Sequence, residues 1–199
     1  MTNMYPADDN RRQAVRVPSR ILMRARLLSR AEYDAIVASY RRGISLYNQE
    51  NLRDIHVYLG AQHALQKLQE RDEDLAEFLR HIDAKMTRIL ESVSNAPSPL
   101  AEFSLTELNI SGGGLAYDSE VAYAAGDKLE TQIILLPDHS YLYCISQVVS
   151  CGRDQEKGTY RVACEFDLIM DNDRETLVQY IFRQQQLELR NRRLRKEQE

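Results

Sequence analysis

The sequence predicts an α+β fold: a small antiparallel β-barrel, interrupted by a long coiled-coil-like helical hairpin and closed by a C-terminal helix. Three observations carry that reading. Short alternating apolar runs, punctuated by Gly, Pro and Asp, fill residues 100–167 and suit a barrel of short strands. A heptad pattern occupies residues 58–93, and such a repeat marks a helix with one apolar seam. One strand-like run, Ile21 to Leu28, stands alone ahead of the heptads.

Each element has a local signal. Residues 1–18 are polar, end in Val17-Pro18 and read as a flexible arm. Ile21 to Leu28 interleaves Arg24 and Arg26, as a strand with one wet face does. Ser29 with Glu32 three residues on is a capping box that starts a helix. Tyr33, Val37, Tyr40, Ile44 and Tyr47 then form one stripe, so the first helix is expected over 31–47. Gly43 is expected to weaken it by ~1 kcal/mol relative to Ala.

The second helix is expected to run unbroken from Asn51 to Val93. One row of its seam holds Tyr58, Leu65, Asp72, Leu79, Met86 and Val93; the other holds Ala61, Leu68, Leu75, Ile82 and Ile89. At 1.5 Å per residue it extends about 64 Å, against about 26 Å for the first helix. A hairpin of unequal arms leaves the longer seam uncovered. The sequence therefore predicts a homo-oligomer joined through Leu65, Leu68, Leu75, Leu79, Ile82, Met86, Ile89 and Val93, with polar Asp72 selecting register or oligomer state at some cost in stability. Pro97 and Pro99 mark a linker. Strands follow at 100–108, 115–118, 128–136, 141–151 and 159–167, and a last helix at 173–195 presents Leu177, Tyr180, Ile181 and Gln184 on one face.

Composition excludes several function classes. The chain has 199 residues, is 43% apolar and carries a net charge of −4, so it is no polycation. Its cations are 21 Arg against 5 Lys, which favours planar, fork-like pairing with phosphates and carboxylates. Cys144, Cys151 and Cys164 lack metal-ligand spacing and read as small buried side chains in a reducing compartment. No apolar run reaches the ~18 residues of a membrane span, and no signal-peptide pattern appears. The expected location is cytoplasmic. The four His residues are scattered, no metal site is expected, and no nucleophile, phosphate-loop or zinc-protease motif is present. Neither catalytic residues nor a cofactor are predicted.

Two motifs suggest a ligand. Arg12 and Arg16 form an R-x-x-x-R pair just ahead of the first strand; the spacing recurs at Arg16/Arg20, Arg20/Arg24 and Arg26/Arg30, so position carries the signal. Asn109-Ile110-Ser111-Gly112-Gly113-Gly114 forms a polar turn between strands. Guanidinium matches phosphate and guanine edges bidentately. Asn offers donor and acceptor together, and glycine lets the ligand approach the backbone. Together they suit a compact dianion bearing purine bases.

These motifs, the late strand Tyr160-Arg161-Val162-Ala163-Cys164-Glu165-Phe166 and the ending Tyr180-Ile181-Phe182-Arg183-Gln184-Gln185-Gln186 together resemble the PilZ domain family. The resemblance covers the arm, the first strand and residues 100–190. The insertion is similar to that of atypical, oligomer-forming PilZ proteins. It implies a six-stranded barrel over 19–29 and 98–199, an arm at 1–18, and an oligomerisation insert at 30–97. It also implies a receptor for cyclic di-GMP. On that resemblance Arg12 and Arg16 clamp phosphates and guanine Hoogsteen edges, Asn109 and Ser111 bond guanine or phosphate, and Gly114 leaves room for a base. Arg11 stacks on a second, intercalated ligand. Ala163 stands where the family often has glycine. Signalling by ordering of the arm, with an unidentified protein partner in motility, adhesion or exopolysaccharide control, is implied likewise.

Two alternatives stay open: a scaffold that keeps fold and oligomer without nucleotide, and a nucleic-acid-binding regulator using Arg190, Arg192, Arg193, Arg195 and Lys196. Net negative charge disfavours the latter.

Overall fold

The computed structural model describes residues 16–47, 61, 64, 65, 67–94 and 100–196. Its centre is a closed antiparallel barrel of six strands: β1 (Val17–Leu27), β2 (Ser104–Ser111), β3 (Gly114–Ser119), β4 (Lys128–Leu135), β5 (Ser140–Arg153) and β6 (Tyr160–Ile169). The strands join in the order β1-β2-β3-β6-β5-β4, with β4 returning to β1. Helices α1 (Arg30–Arg41) and α2 (Glu73–Ser94) lie between β1 and β2, and α3 (Asp171–Lys196) follows β6.

Alternation fixes which residues point inward. Val17, Ile21 and Met23 of β1, Leu108 and Ile110 of β2, and Leu115 and Tyr117 of β3 fill the barrel with Val162, Cys164 and Phe166 of β6. Leu177, Tyr180 and Ile181 of α3 belong to the same core, so three of the four residues expected on that helix's apolar face seal the barrel. Burial pushes the thiols of Cys144 and Cys164 up to about 12, which keeps them protonated and inert. All three cysteines are unpaired thiols.

The outward residues Tyr143 and Ile145 of β5 are buried too, because α1 covers them. Leu28, Leu46, Tyr33, Ile36, Tyr40 and Tyr47 pack around this pair. Thus the predicted tyrosine stripe is an apolar face, but it lies on the barrel instead of on the second helix. Polar contacts hold α1 there. Arg26 Nε donates to Glu130 Oε2 at 2.7 Å and Nη1 to Glu32 Oε1 at 2.7 Å. Glu130, only 2% exposed, also accepts from Tyr143 Oη at 3.0 Å. A buried carboxylate is tolerated because guanidinium and hydroxyl both bond it. Tyr33 Oη and Lys128 Nζ donate to Asp167 Oδ2, each at 2.7 Å.

Ser29 and Glu32 do form the predicted capping box. The helix ends six residues before the expected Tyr47, and Gly43 is the reason. Gly43 has φ +79°; its N–H donates to Tyr40 O at 2.9 Å, and Ile44 N–H to Ser39 O at 3.1 Å. This is a Schellman C-cap. The glycine terminates the helix and imposes no interior penalty. Tyr47, past the end, donates its hydroxyl to Asp173 Oδ2 of α3 and accepts from Tyr143 N–H at 3.1 Å.

The expected unbroken helix from Asn51 to Val93 is also corrected. Described residues within 61–69 are helical, residues 70 and 71 turn, and α2 begins at Glu73. Asp72 causes the break: its Oδ1 accepts from Leu75 N–H at 3.0 Å, and its carbonyl from Ala76 N–H at 3.1 Å. It is an N-cap, not a polar seam position. The hairpin of the insert therefore lies between 61–69 and α2, where Ala61, Leu65 and Leu68 face Leu79, Ile82 and Met86 across an apolar cleft. At the other boundary, β1 starts at Val17, so residues 17 and 18, expected in the arm, belong to the barrel.

Arg26 and Ser29 hold the Glu32 carboxyl at about 2, against an ordinary 4.5. The native state then binds fewer protons than the unfolded chain, so this contribution is complete above 4.5 and lost as pH falls towards 2. Glu32→Gln should flatten the acid limb of the stability–pH curve in that window, read by urea unfolding. An unchanged limb would show that the capping box does not couple to folding.

Candidate ligand-binding site

The barrel register assembles a shelf on the outer wall of β1, β2, β3 and β6. Its floor is one transverse rung of small side chains: Pro18 opposite Asn109, Asn109 opposite Ala116, and Ala116 opposite Ala163. A second rung, two residues away along the strands, is charged. There Arg20 pairs with Glu107 and Asp118 with Arg161. On the other side of the floor, Ser111 pairs with Gly114 and Gly114 with Glu165. Continuing the Val17–Ile110 register by one residue sets Arg16 level with Ser111. Same-face rungs are about 7 Å apart, so a flat, neutral strip about as wide as a purine runs between two charged borders.

The motif residues therefore converge in part. Arg16 is exposed beside the start of β1, and Asn109 lies half-buried on the floor. Ser111 and Gly114 frame the turn. Arg11 and Arg12 lie outside the described residues. Of the predicted seam, Leu65 and Leu68 are half-buried, while Leu75, Leu79, Ile82, Met86 and Ile89 are exposed on α2; the Val93 side chain lies outside the description. So do those of Arg192, Arg193, Arg195 and Lys196.

The glycine turn has its own structural duties. Ser111 Oγ donates to Gly114 O at 3.1 Å and accepts from Gly113 N–H at 3.4 Å. Gly113 O accepts from Phe166 N–H at 2.9 Å, and Gly112 O from Arg174 Nη1 of α3 at 2.7 Å. Gly114 is glycine because β6 leaves no space: a Cβ there would sit 2.1 Å from Cys164 O and 2.9 Å from Glu165 Cα. Both neighbours are backbone and cannot step aside. At Gly113 a Cβ would meet nothing within 4 Å, so that position stays bare on the surface.

Sequence reasoning left out the charged rung. A groove of about 450 Å³ is lined by Pro18, Arg20, Glu107, Asn109, Asp118, Lys157 and Arg161. Asp118 accepts from Arg161 Nη1 and Lys157 Nζ, each at 2.9 Å, and Lys157 foremost holds its carboxyl low. Arg20 makes no hydrogen bond or ion pair among the described residues. The signal was present: Arg16/Arg20 repeats the R-x-x-x-R spacing, and strand alternation puts Arg161 on the outer face with Ala163.

Comparison with known proteins decides the family. The PilZ domain model matches residues 87–183. The chain carries a PilZ domain. PilZ domains are the cyclic di-GMP receptor family, a binding class and not a catalytic one. Comparison with curated proteins finds no match. Among solved structures, the chain is similar to the Bacillus subtilis inhibitor of motility MotI/DgrA, at 16% identity and TM-score 0.45, over 88% of this chain and 51% of that one. It spans about half of that protein's length. It is also similar to a Xanthomonas campestris protein described as a tetrameric PilZ domain self-assembled via a helical bundle, at 13% identity and TM-score 0.48, covering 89% of this chain and 92% of that one. The PilZ match begins inside α2, so β1 completes the PilZ barrel from across the insert. Among the described residues no helix is long and apolar enough to cross a membrane, and no cluster of His, Cys, Asp and Glu could hold a metal ion.

Gly114→Ala should cost at least about 2 kcal/mol by overpacking, whereas Gly113→Ala should stay within about 0.5 kcal/mol of the parent. Urea denaturation measures both. Equal effects would contradict the close approach of β3 and β6.

Proposed function

We propose that this protein is a cytoplasmic cyclic di-GMP receptor that closes the segment ahead of β1 over ligand bound on the outer wall, and signals by protein–protein contact. What supports this most is the Val17–Ile110 pairing, which, carried one residue further, brings Arg16 level with Ser111 at the edge of the neutral strip. Guanidinium at that edge offers charge-assisted bonds to phosphate, and the strip gives a purine a flat seat. Asn109, on the strip itself, supplies donor and acceptor for a base edge. Arg12 and Arg11 precede Arg16 closely enough in sequence to fold over the same seat, Arg12 on the ligand and Arg11 stacked on a second ligand molecule. Charge-assisted bonds then offset the ordering entropy. The downstream partner belongs to motility, adhesion or exopolysaccharide control.

Calorimetric titration with cyclic di-GMP tests the reading. Saturable binding in the micromolar range or tighter is expected, and Arg16→Ala should weaken it roughly tenfold or more, the worth of a hydrogen bond to a charged group. One observation favours a second reading, the scaffold without nucleotide: Ser111 and Gly114 already have partners that the fold itself requires. Absence of heat with correctly folded protein would select the scaffold.

The insert's part in this proposal is homo-oligomerisation. Phe78, Met86 and Ile89 of α2 are 60%, 58% and 61% exposed, and with Leu75 and Ile82 they keep a heptad-spaced apolar row. A second copy of the same row is the self-complementary cover for it. Light scattering of a Leu75→Lys, Ile82→Lys variant should report a smaller assembly than the parent. An unchanged mass would remove the insert from assembly.

A further inference from the structure

We propose that Arg161, oriented by Asp118, contacts the ligand directly and sets its preference for guanine; this rests on the nucleotide-receptor reading above. Arg161 projects outward from β6 two residues before Ala163, at the charged border of the strip. Only its Nη1 is engaged, with Asp118 Oδ1 at 2.9 Å. Its Nε and Nη2 make no hydrogen bond among the described residues, and the residue lines a groove of about 450 Å³. One side of the guanidinium is thus held while a bidentate side stays free.

The charge around Arg161 decides what that free side suits. Asp118 sits between Arg161 and Lys157, and Glu107 faces the same groove. Arg20 lines that groove as well, so the two carboxylates offset two of its three cations. A phosphate on the free side would gain only part of the attraction of an unpaired guanidinium, because Asp118 already offsets that charge. A neutral group with two adjacent acceptors does not depend on that net charge. The Hoogsteen edge of guanine, O6 with N7, is such a group, and bidentate Arg is its usual reader. Adenine puts an amino donor where O6 would be and leaves one guanidinium hydrogen without an acceptor. Rungs about 7 Å apart let a purine seated on Ala116 and Ala163 bring its edge to Arg161. Asp118 is a positioning residue: it fixes the fork and tilts the site from a bare anion towards a dipolar edge.

Titration of parent, Arg161→Lys, Arg161→Gln and Asp118→Asn with cyclic di-GMP and cyclic di-AMP separates the outcomes. All three substitutions lie on the surface, and matching thermal melts establish that the variants fold. The parent should prefer cyclic di-GMP. Arg161→Lys and Arg161→Gln should each lose about 5- to 150-fold of cyclic di-GMP affinity, the worth of one bidentate base contact, with cyclic di-AMP affinity unchanged. The lysine variant keeps the charge and loses the fork, so its failure to rescue marks base reading. Asp118→Asn should lose part of the discrimination. Equal weakening of both ligands, or full discrimination in Arg161→Lys, would overturn the proposal while leaving a receptor that binds through Arg16. A parent that binds neither ligand would end the receptor reading, and this proposal with it.

Discussion

β1 closes the barrel. It pairs with β2 through residues 17–23 and with β4 through residues 22–27, so one strand supplies both seams of the cylinder. Its register is set by burial: Val17, Ile21 and Met23 must face inward, and a slip of one residue would turn all three out to water. The same register fixes the outer face. Pro18 meets Asn109 and Arg20 meets Glu107 because the inward set has no other choice. Core packing thereby places the groups of the candidate site.

The closure has to survive a long excursion, because β1 and β2 are separated by the entire insert. α1 anchors the exit. Its aromatic face covers Tyr143 and Ile145 of β5, and Arg26 ties the capping box to buried Glu130. Such a pair contributes more to fixing one arrangement than to net stability, since desolvation offsets much of the attraction. The far end is anchored as well. Tyr47 bonds Asp173 in the first turn of α3, where burial raises the carboxyl above its ordinary range. The next turn position, Arg174, holds the carbonyl of Gly112. Adjacent residues of one helical turn thus grip the insert and the glycine bend.

Much of this was legible in the sequence because burial writes period two and period 3.6 directly into residue order. The late strand is the clearest case: Tyr160, Val162, Cys164 and Phe166 alternate with outward Arg161, Ala163 and Glu165. The Ser29–Glu32 box located the start of α1 for the same local reason. The helix ends were harder to read. Gly43 and Asp72 each permit two roles, and only backbone geometry distinguishes a cap from an interior or seam position. The partner of α1 was illegible as well: an apolar stripe shows that something covers it, not whether a helix or a barrel does. Of the candidate site, Asn109, Ser111 and Gly114 are legible as a motif, but Arg20, Asp118 and Arg161 need strand pairing between distant segments. At Gly114 strand pairing adds a reason the motif does not show: a Cβ there would run into the backbone of β6.

The central claim is that the register of the wall, set by core packing, provides the nucleotide's seat. Intermolecular nuclear Overhauser effects on a cyclic di-GMP complex address it most directly. The account predicts contacts from guanine H8 and ribose protons to the methyl groups of Ala116 and Ala163. A saturated complex whose ligand contacts fall on the opposite wall, or on α2, with none to those methyls, would contradict it.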